Sequence, residues 1–291
     1  MTSYQIAAAV RRPGRFGRLR ALARGRSTLV AAGLVVAVVV LVAVFAPVIA
    51  PYDPNAVDPM AVYQGSSPAH WFGTDDTGRD ILSRMLYGAR PSLIGPALVT
   101  VASGVLGTLL AVTAAWFGGW WDRIISGALD VIFGFPGLVL AVTGAAVFGA
   151  GLRIAVVTLS IAYLPYIARV VRGAALRERR LPYISALLML GVPSWRVCLR
   201  HLLPNLLPLI LVQVTTSFGY ILLDVAAFSF IGLGTQPPDP EWGLMVAGGT
   251  SGILAGRAEQ SLYAGLVIVV FVIACNLLGS GLSQRLLGED R

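Results

Sequence analysis

The sequence predicts an all-α membrane protein with six transmembrane helices, and three observations carry that prediction. Of its 291 residues 56% are hydrophobic and 12% charged, where ordinary soluble domains are about 25% charged. Apolar runs without charge cover 27–52, 91–121, 131–152, 154–168, 202–223 and 260–284, near the ~20 residues that cross a bilayer as a helix. All 22 basic residues are arginines, unequally placed: seven (11, 12, 15, 18, 20, 24, 26) precede the first run and seven (169, 172, 177, 179, 180, 196, 200) lie between the fourth and fifth. The first and third external loops hold Asp53, Asp58, Asp75, Asp76, Asp80, Asp239, Glu241 and Glu259 against Arg79, Arg84, Arg90 and Arg257. Six spans with both termini cytoplasmic satisfy the positive-inside rule, so topology rather than nucleic-acid binding accounts for the net charge of +8.

Residues 1–26 form a basic cytoplasmic tail, with too little apolar content to bury and suited to anionic lipid headgroups. The run Leu29 to Ala46 is longer than a signal-peptide core, so 27–52 is an uncleaved first span, and Arg11-Arg12 is a chance pair in an arginine-rich tail. Four prolines in "APVIAPYDPNAVDP" stop that helix and open an external loop, 53–90. In it Thr77 and Asp80 have capping-box spacing, and Ile81, Leu82, Met85 and Leu86 form one apolar stripe. The stripe suits a short amphipathic helix, either in the outer interface or packed on the other spans. The second span, about Ser92 to Trp116, ends in the tight turn "WFGGWWDR", and the third contains Asp130 and a "FGFPG" break. An ionised group at mid-bilayer costs about 2.5–3.5 kcal/mol, so Asp130 faces protein or water, as a structural partner or a functional group. Arg153 and Arg169 bound the short fourth span, which Pro165 bends. The fifth begins after Pro204 and passes Asp224 near its outer end before "FSFIGLGTQPPDPEWG", an external re-entrant or loop segment; the sixth covers about Leu262 to Leu282.

Catalytic chemistry has little to stand on. The two histidines, His70 and His201, fall on opposite faces, no metal-ligand cluster is visible, and Cys198 and Cys275 imply no disulfide framework. Without a lysine the phosphate-binding G-x-x-x-x-G-K-[ST] loop does not exist. The chain is therefore not an enzyme, and any ATP-driven work belongs to another chain.

Between the fourth and fifth spans lies "YISALLMLGVPSWRVCLRHLLPN", residues 183–205, which the charges of Arg196 and Arg200 keep out of the bilayer. Ile184, Leu187, Leu188 and Gly191 recur at helical spacing, and after a turn at Gly191-Val192-Pro193 the set Trp195, Cys198, Leu199 and Leu202 repeats it. This pattern gives two short amphipathic helices ended by Pro204, with Arg196 and Arg200 one turn apart on another face. By pattern alone such a pair either lies on lipid or docks on a partner.

The segment resembles the signature loop of ATP-binding-cassette importer permeases: Glu-Ala-Ala, three residues, Gly, then a run of about nine ending in an apolar residue, Leu and Pro. Here Ser185, Ala186 and Leu187 stand where the triplet falls, Gly191 and Leu203-Pro204 match, and the acidic first position is replaced by Ser185. Two further stretches sharpen the likeness. "HWFGTDDTGRDILSRMLYGARPSL" is similar to the "GTD-x-x-GRD-x-[LF]-SR-x-x-YGAR-x-SL" segment of the C-type permease subunits of dipeptide, oligopeptide and nickel importers, and "DVAAFSFIGLGTQPPDPEWGLM" to their "EAALSFLGLG-x-QPP-x-P-x-WG-x-M" segment.

The resemblance covers about residues 27–288 and implies a type I importer permease in the bacterial inner membrane, with 91–288 as the five-helix transporter domain and 177–204 as its coupling loop. It implies a heterodimeric pore shared with a B-type permease subunit, two ATPase domains that carry ATP and Mg2+, and an extracytoplasmic substrate-binding protein; this chain itself binds no cofactor. The implied coupling residues are Ile184, Ser185, Ala186, Leu187, Gly191, Trp195, Arg196, Leu199, Arg200 and Pro204, with Trp195, Cys198 and Leu199 as the patch that docks in the ATPase groove. Asp130 and Asp224 are candidates for the translocation path or gate. Short peptides are the implied cargo, with nickel or another small ligand as the alternative. A stand-alone secondary transporter using Asp130 and Asp224 is the competing class, which inverted repeats favour; none convincing is present.

Overall fold

The computed structural model describes residues 15–288; the first 14 residues of the predicted tail lie outside them. Helix α1 (Arg15–Ile49) starts within the basic segment read as a tail, 12 residues before the expected first span. It is followed by α2 (Ile81–Phe117), α3 (Gly119–Phe133), α4 (Gly137–Phe148), α5 (Leu152–Arg179), α6 (Pro182–Met189), α7 (Ser194–Val197), α8 (Leu203–Phe230), α9 (Trp242–Gly248), α10 (Thr250–Leu254) and α11 (Glu259–Leu287). Among the described residues five helices are long and apolar enough to cross a membrane, and the pair α3–α4, bent by 86°, makes up to six. The bend falls at Gly134-Phe135-Pro136, the predicted break.

Helix α2 packs along α5, α8 along α11, and α1 closes the bundle against α2 and α11. Small residues permit this: Gly95, Ser103, Gly104, Gly107, Ala111 and Ala114 form a buried stripe on α2, which lets backbones approach where lipid supplies no hydrophobic force between helices. A Cβ on Gly107 would stand 3.3 Å from the Leu164 carbonyl oxygen of α5. Helices α8 and α11 meet in the same way at Gly219, 3.4 Å from the Val272 carbonyl oxygen by the same measure. Leu34, Leu41, Val101, Leu109, Leu262 and Leu266 are exposed on the outer faces of these helices, as suits contact with lipid.

The external segments are fastened by polar side chains. Asp75 accepts from the Thr77 and Arg79 backbone N–H groups at 2.9 and 3.0 Å and pairs with the Arg79 Nε at 2.7 Å. Buried Arg84 donates to the Pro54 carbonyl at 2.8 Å and, at 3.4 Å, to that of Pro238, tying the first loop to the last. Glu241 caps α9 by accepting from the N–H groups of Gly243 and Leu244, and Ser92 of α2 donates to it at 3.1 Å. The Trp242 indole donates to the Met85 carbonyl at 3.0 Å, seating α9 on α2.

Three boundaries differ from those the sequence suggests. The amphipathic stripe at Ile81–Leu86 is not a separate helix but the first turns of α2, since Pro91 and Pro96 lie inside one continuous 37-residue helix. Its cap is Asp80, which accepts from the Ser83 N–H at 2.8 Å, while Thr77 donates to Asp75 instead. The fourth span, as α5, runs through Arg169 to Arg179, because Arg169 and Arg172 find carboxylates on α3.

Candidate functional site

Two regions carry the predicted residues: the segment linking α5 to α8, and one face of α3, α5 and α8. In the first, α6 ends in a left-handed turn at Gly191, whose φ is +77°. The Gly191 N–H donates to the Leu188 carbonyl and the Val192 N–H to that of Leu187, the paired bonds of a Schellman stop. The chain then re-enters helix at Ser194. The predicted second short helix is not separate: α7, a π turn at Cys198–Leu202 and α8 make one 37-residue helix, Ser194–Phe230. Pro204 does not end the segment. Its ring obstructs the carbonyl four residues back and it lacks an N–H; the π turn, in which Leu203 donates to Cys198, widens the helix one residue earlier.

One side of this segment is built into the bundle. Ile184, Val197 and Leu202 are buried in a cluster with Ile167, Val171 and Ala175 of α5, against which Leu187, Val192 and Cys198 also pack. Glu178 accepts from the Tyr183 hydroxyl at 2.6 Å and from the Asn205 amide at 2.8 Å, joining the ends of α5, α6 and α8. Burial, then the bond to Glu178, raises the Tyr183 phenol above its ordinary pKa, so it remains a donor. Arg179 donates to the Ala115 carbonyl at 2.7 Å and lies over the Trp116 ring. The other side is bare: Ser185, Ala186, Arg196, Arg200 and Pro204 are exposed, and so are the large apolar side chains Met189 (83%), Leu190 (79%), Trp195 (60%) and Leu199 (57%). The Arg196 guanidinium sits 5.3 Å from the Trp195 ring centre.

The exposed surface differs from the expected docking set in two respects. Cys198 packs partly against the core, while Trp195 and Leu199 are exposed. Met189 and Leu190 complete the exposed patch; they fall off the Ile184 stripe, and their place just before the glycine turn was the signal available in the sequence. Nothing in the spacing points to the Glu178–Tyr183–Asn205 triangle.

The second region joins Asp130 and Asp224 by a continuous series of contacts. Tyr163 on α5 donates to Asp224 on α8 at 2.8 Å. Its ring is 5.5 Å from that of Tyr166, which is 5.0 Å from Phe133 on α3. The Arg169 guanidinium lies 3.9 Å over Phe133 and pairs with Asp130 at 2.7 Å. One turn further along α5, Arg172 donates twice to Asp122, at 2.6 and 2.5 Å. A recess of about 330 Å3 opens among Ser126, Leu129, Asp130, Arg169 and Arg172. Arg169 and Asp130 are 45% and 64% exposed, and ionised groups in spanning helices face protein or water rather than lipid. Each aspartate has a partner on α5: Tyr163 for Asp224 and Arg169 for Asp130. Among the described residues no three His, Cys, Asp or Glu side chains come together to hold a metal.

Residues 103–287 match the family described as binding-protein-dependent transport system inner membrane component, and residues 24–65 the N-terminal transmembrane domain of oligopeptide transport permease C. Over 88% of its length the chain is 39% identical to a glutathione transport system permease protein, GsiD, of Pectobacterium atrosepticum, covering 85% of that protein. It is 35% identical to a probable D,D-dipeptide transport system permease protein, DdpC, of Escherichia coli, over 90% of this chain and 88% of that one. The fold resembles that of the inward-facing MetNI methionine ABC transporter, with a TM-score of 0.58 at 19% identity over 72% of this chain and 98% of that chain.

Proposed function

We propose, because this chain belongs to the inner-membrane components of binding-protein-dependent transport systems and within them to the C-type permeases of peptide ABC importers, that it forms one half of a heterodimeric pore for short peptides. A permease of this family is a multi-pass protein of the bacterial inner membrane and breaks no bond; separate ATPase subunits hydrolyse ATP. In this proposal a B-type permease supplies the other half of the pore, two ATPase domains carry ATP and Mg2+, and an extracytoplasmic binding protein delivers the cargo. The relatives named for glutathione and D,D-dipeptide transport support a peptide of two or three residues.

The observation that carries the reading is the exposed apolar patch of Met189, Leu190, Trp195 and Leu199, held at the joint of α5 and α8 by a buried inner side. Large apolar and aromatic side chains ringed by arginines suit a protein groove with an acidic rim. When ATP closes the ATPase domains, their movement passes through this patch into α5 and α8 and switches the pore from outward to inward access. Trp195→Ala should lose about 2 kcal/mol of hot-spot contact, roughly a thirtyfold weaker association with the ATPase, with membrane insertion unchanged; co-purification at graded ATPase concentrations measures it. Undiminished association would exclude this patch as the docking surface.

Both termini and the patch are cytoplasmic in this reading. A cysteine replacing exposed Gln64 or Gln236 should react with an impermeant thiol reagent on intact cells, and one replacing exposed Ser194 only after permeabilisation. The reverse labelling pattern would invert the topology.

A further inference from the structure

We infer that the polar and aromatic face of α3, α5 and α8 is a two-station site for a short peptide zwitterion, with Asp224 receiving the ammonium end and Arg169 the carboxylate end. The peptide then travels carboxylate first. The inference rests on the peptide-permease reading and adds the residues that hold the cargo and its direction of travel.

The stations are joined by a series of contacts through Tyr163, Tyr166 and Phe133, which winds part of a turn around α5 from α8 to α3. Their spacing fits the cargo. Tyr163, which holds Asp224, and Arg169 lie six residues apart on α5, or about 9 Å along the axis. An extended peptide advances about 3.3–3.6 Å per residue, so a tripeptide at about 10 Å matches the spacing, a dipeptide at about 7 Å comes within about 2 Å of it, and a single amino acid falls well short. Their order gives the direction: α5 begins at Leu152, beside the external Leu233 to which Gly151 is bonded, and ends at the coupling segment, so the Asp224 station is the outer one.

Each station has the chemistry its end of the peptide needs. The Arg169 guanidinium lies 3.9 Å over the Phe133 ring centre and gives one nitrogen to Asp130. These two contacts restrain it while its 45% exposure leaves further N–H groups open, and a guanidinium can grip a carboxylate by two parallel bonds. It opens on the recess of about 330 Å3, where the neighbouring Arg172 is already neutralised by Asp122. Asp130 orients Arg169 and also repels an arriving carboxylate, so the cargo is held weakly enough to leave, as transit requires. At the outer station Tyr163 donates to only one oxygen of the half-buried Asp224, leaving the other to accept from an ammonium. Between the stations the Tyr163 and Tyr166 rings offer flat apolar surface to any side chain, which suits a path that does not select sequence.

The test uses the complete transporter in proteoliposomes with its binding protein, and two radiolabelled dipeptides that carry benzoylphenylalanine at the first or the second position. During ATP turnover, light should attach the second-position probe within 119–133 and the first-position probe within 203–230. Arg169→Gln should abolish the attachment within 119–133 and slow uptake about tenfold, with co-purification of the ATPase confirming assembly; Arg169→Lys should restore part of both. Asp224→Asn should abolish the attachment within 203–230. Attachment sites exchanged between the two probes, or indifferent to probe position in the unaltered protein, overturn the inference even if every variant fails to assemble. Unaltered uptake by Arg169→Gln also overturns it. If the unaltered transporter imports no dipeptide, the peptide-permease reading fails and takes the inference with it.

Discussion

Gly191→Val should stop transport while leaving the protein inserted in the membrane. A Cβ at Gly191 meets nothing within 4 Å, so the effect is purely one of backbone. The φ of +77° lies in the left-handed region, which costs an L-residue about 1–2 kcal/mol, and β-branching makes the site less accessible still. The chain relieves that strain by leaving the left-handed turn, which redirects the path from Leu190 to Ser194. Met189 and Leu190 then no longer share a surface with Trp195 and Leu199. Peptide uptake and ATPase co-purification should both fall at least tenfold, about the effect of that strain expressed as an equilibrium. Gly191→Asn, whose side chain tolerates the left-handed region, should retain most of both. Normal uptake by the valine variant would falsify the role assigned to the segment.

Gly243→Ala should be equally severe, for the opposite reason. There the added methyl carbon would lie 2.7 Å from the Ala226 carbonyl carbon and Cα, and backbone cannot yield as a flexible side chain does. Overpacking of this kind costs about 1–3 kcal/mol or more. Relief requires α9 to lift from α8, which pulls Trp242 from the Met85 carbonyl and Glu241 from Ser92. The yield of assembled transporter and its thermal midpoint in detergent should both drop. Gly265→Ala, where a Cβ meets nothing within 4 Å, should leave both unchanged. A stable Gly243→Ala transporter would mean that α8 and α9 are not in contact as described.

The spans were legible because hydrophobicity and arginine placement act residue by residue: each run predicted to cross the membrane overlaps a long helix or the bent pair α3–α4. Two boundaries were misplaced. Arg90 set the start of the second run by its charge and Pro204 read as a helix end, yet both sit in continuous helix: Arg90 donates to the Ala43 and Val44 carbonyls of α1, and a π turn at Cys198–Leu202 absorbs the hydrogen bond that Pro204 lacks. The aspartates of the candidate path were legible as intramembrane charges, but their partners were not. Tyr163 is 61 residues from Asp224 and Arg169 is 39 from Asp130, and no local period encodes such distances. The candidate coupling residues emerged from helical spacing and resemblance together; neither showed that Cys198 packs partly against α5, because that depends on α7 being the start of α8.

The continuity of α7 with α8 also has a mechanical consequence. The helix from Ser194 to Phe230 approaches α11 closely over Thr216–Gly219, where a Cβ on Gly279 would stand 3.2 Å from the Thr216 backbone nitrogen and one on Gly219 3.4 Å from the Val272 carbonyl oxygen, which makes that crossing a natural fulcrum. Trp195 lies about 34 Å from its middle on one side and Asp224 about 10 Å on the other, an arm ratio of roughly three and a half to one. A stroke of about 5 Å at Trp195 therefore becomes a displacement of about 1.4 Å, in the opposite sense, at Asp224. Gearing of this kind exchanges travel for force: under the proposed coupling, a broad movement of the ATPase subunits would become a short, strong shift at the proposed outer station, on the scale of breaking and remaking a single hydrogen bond.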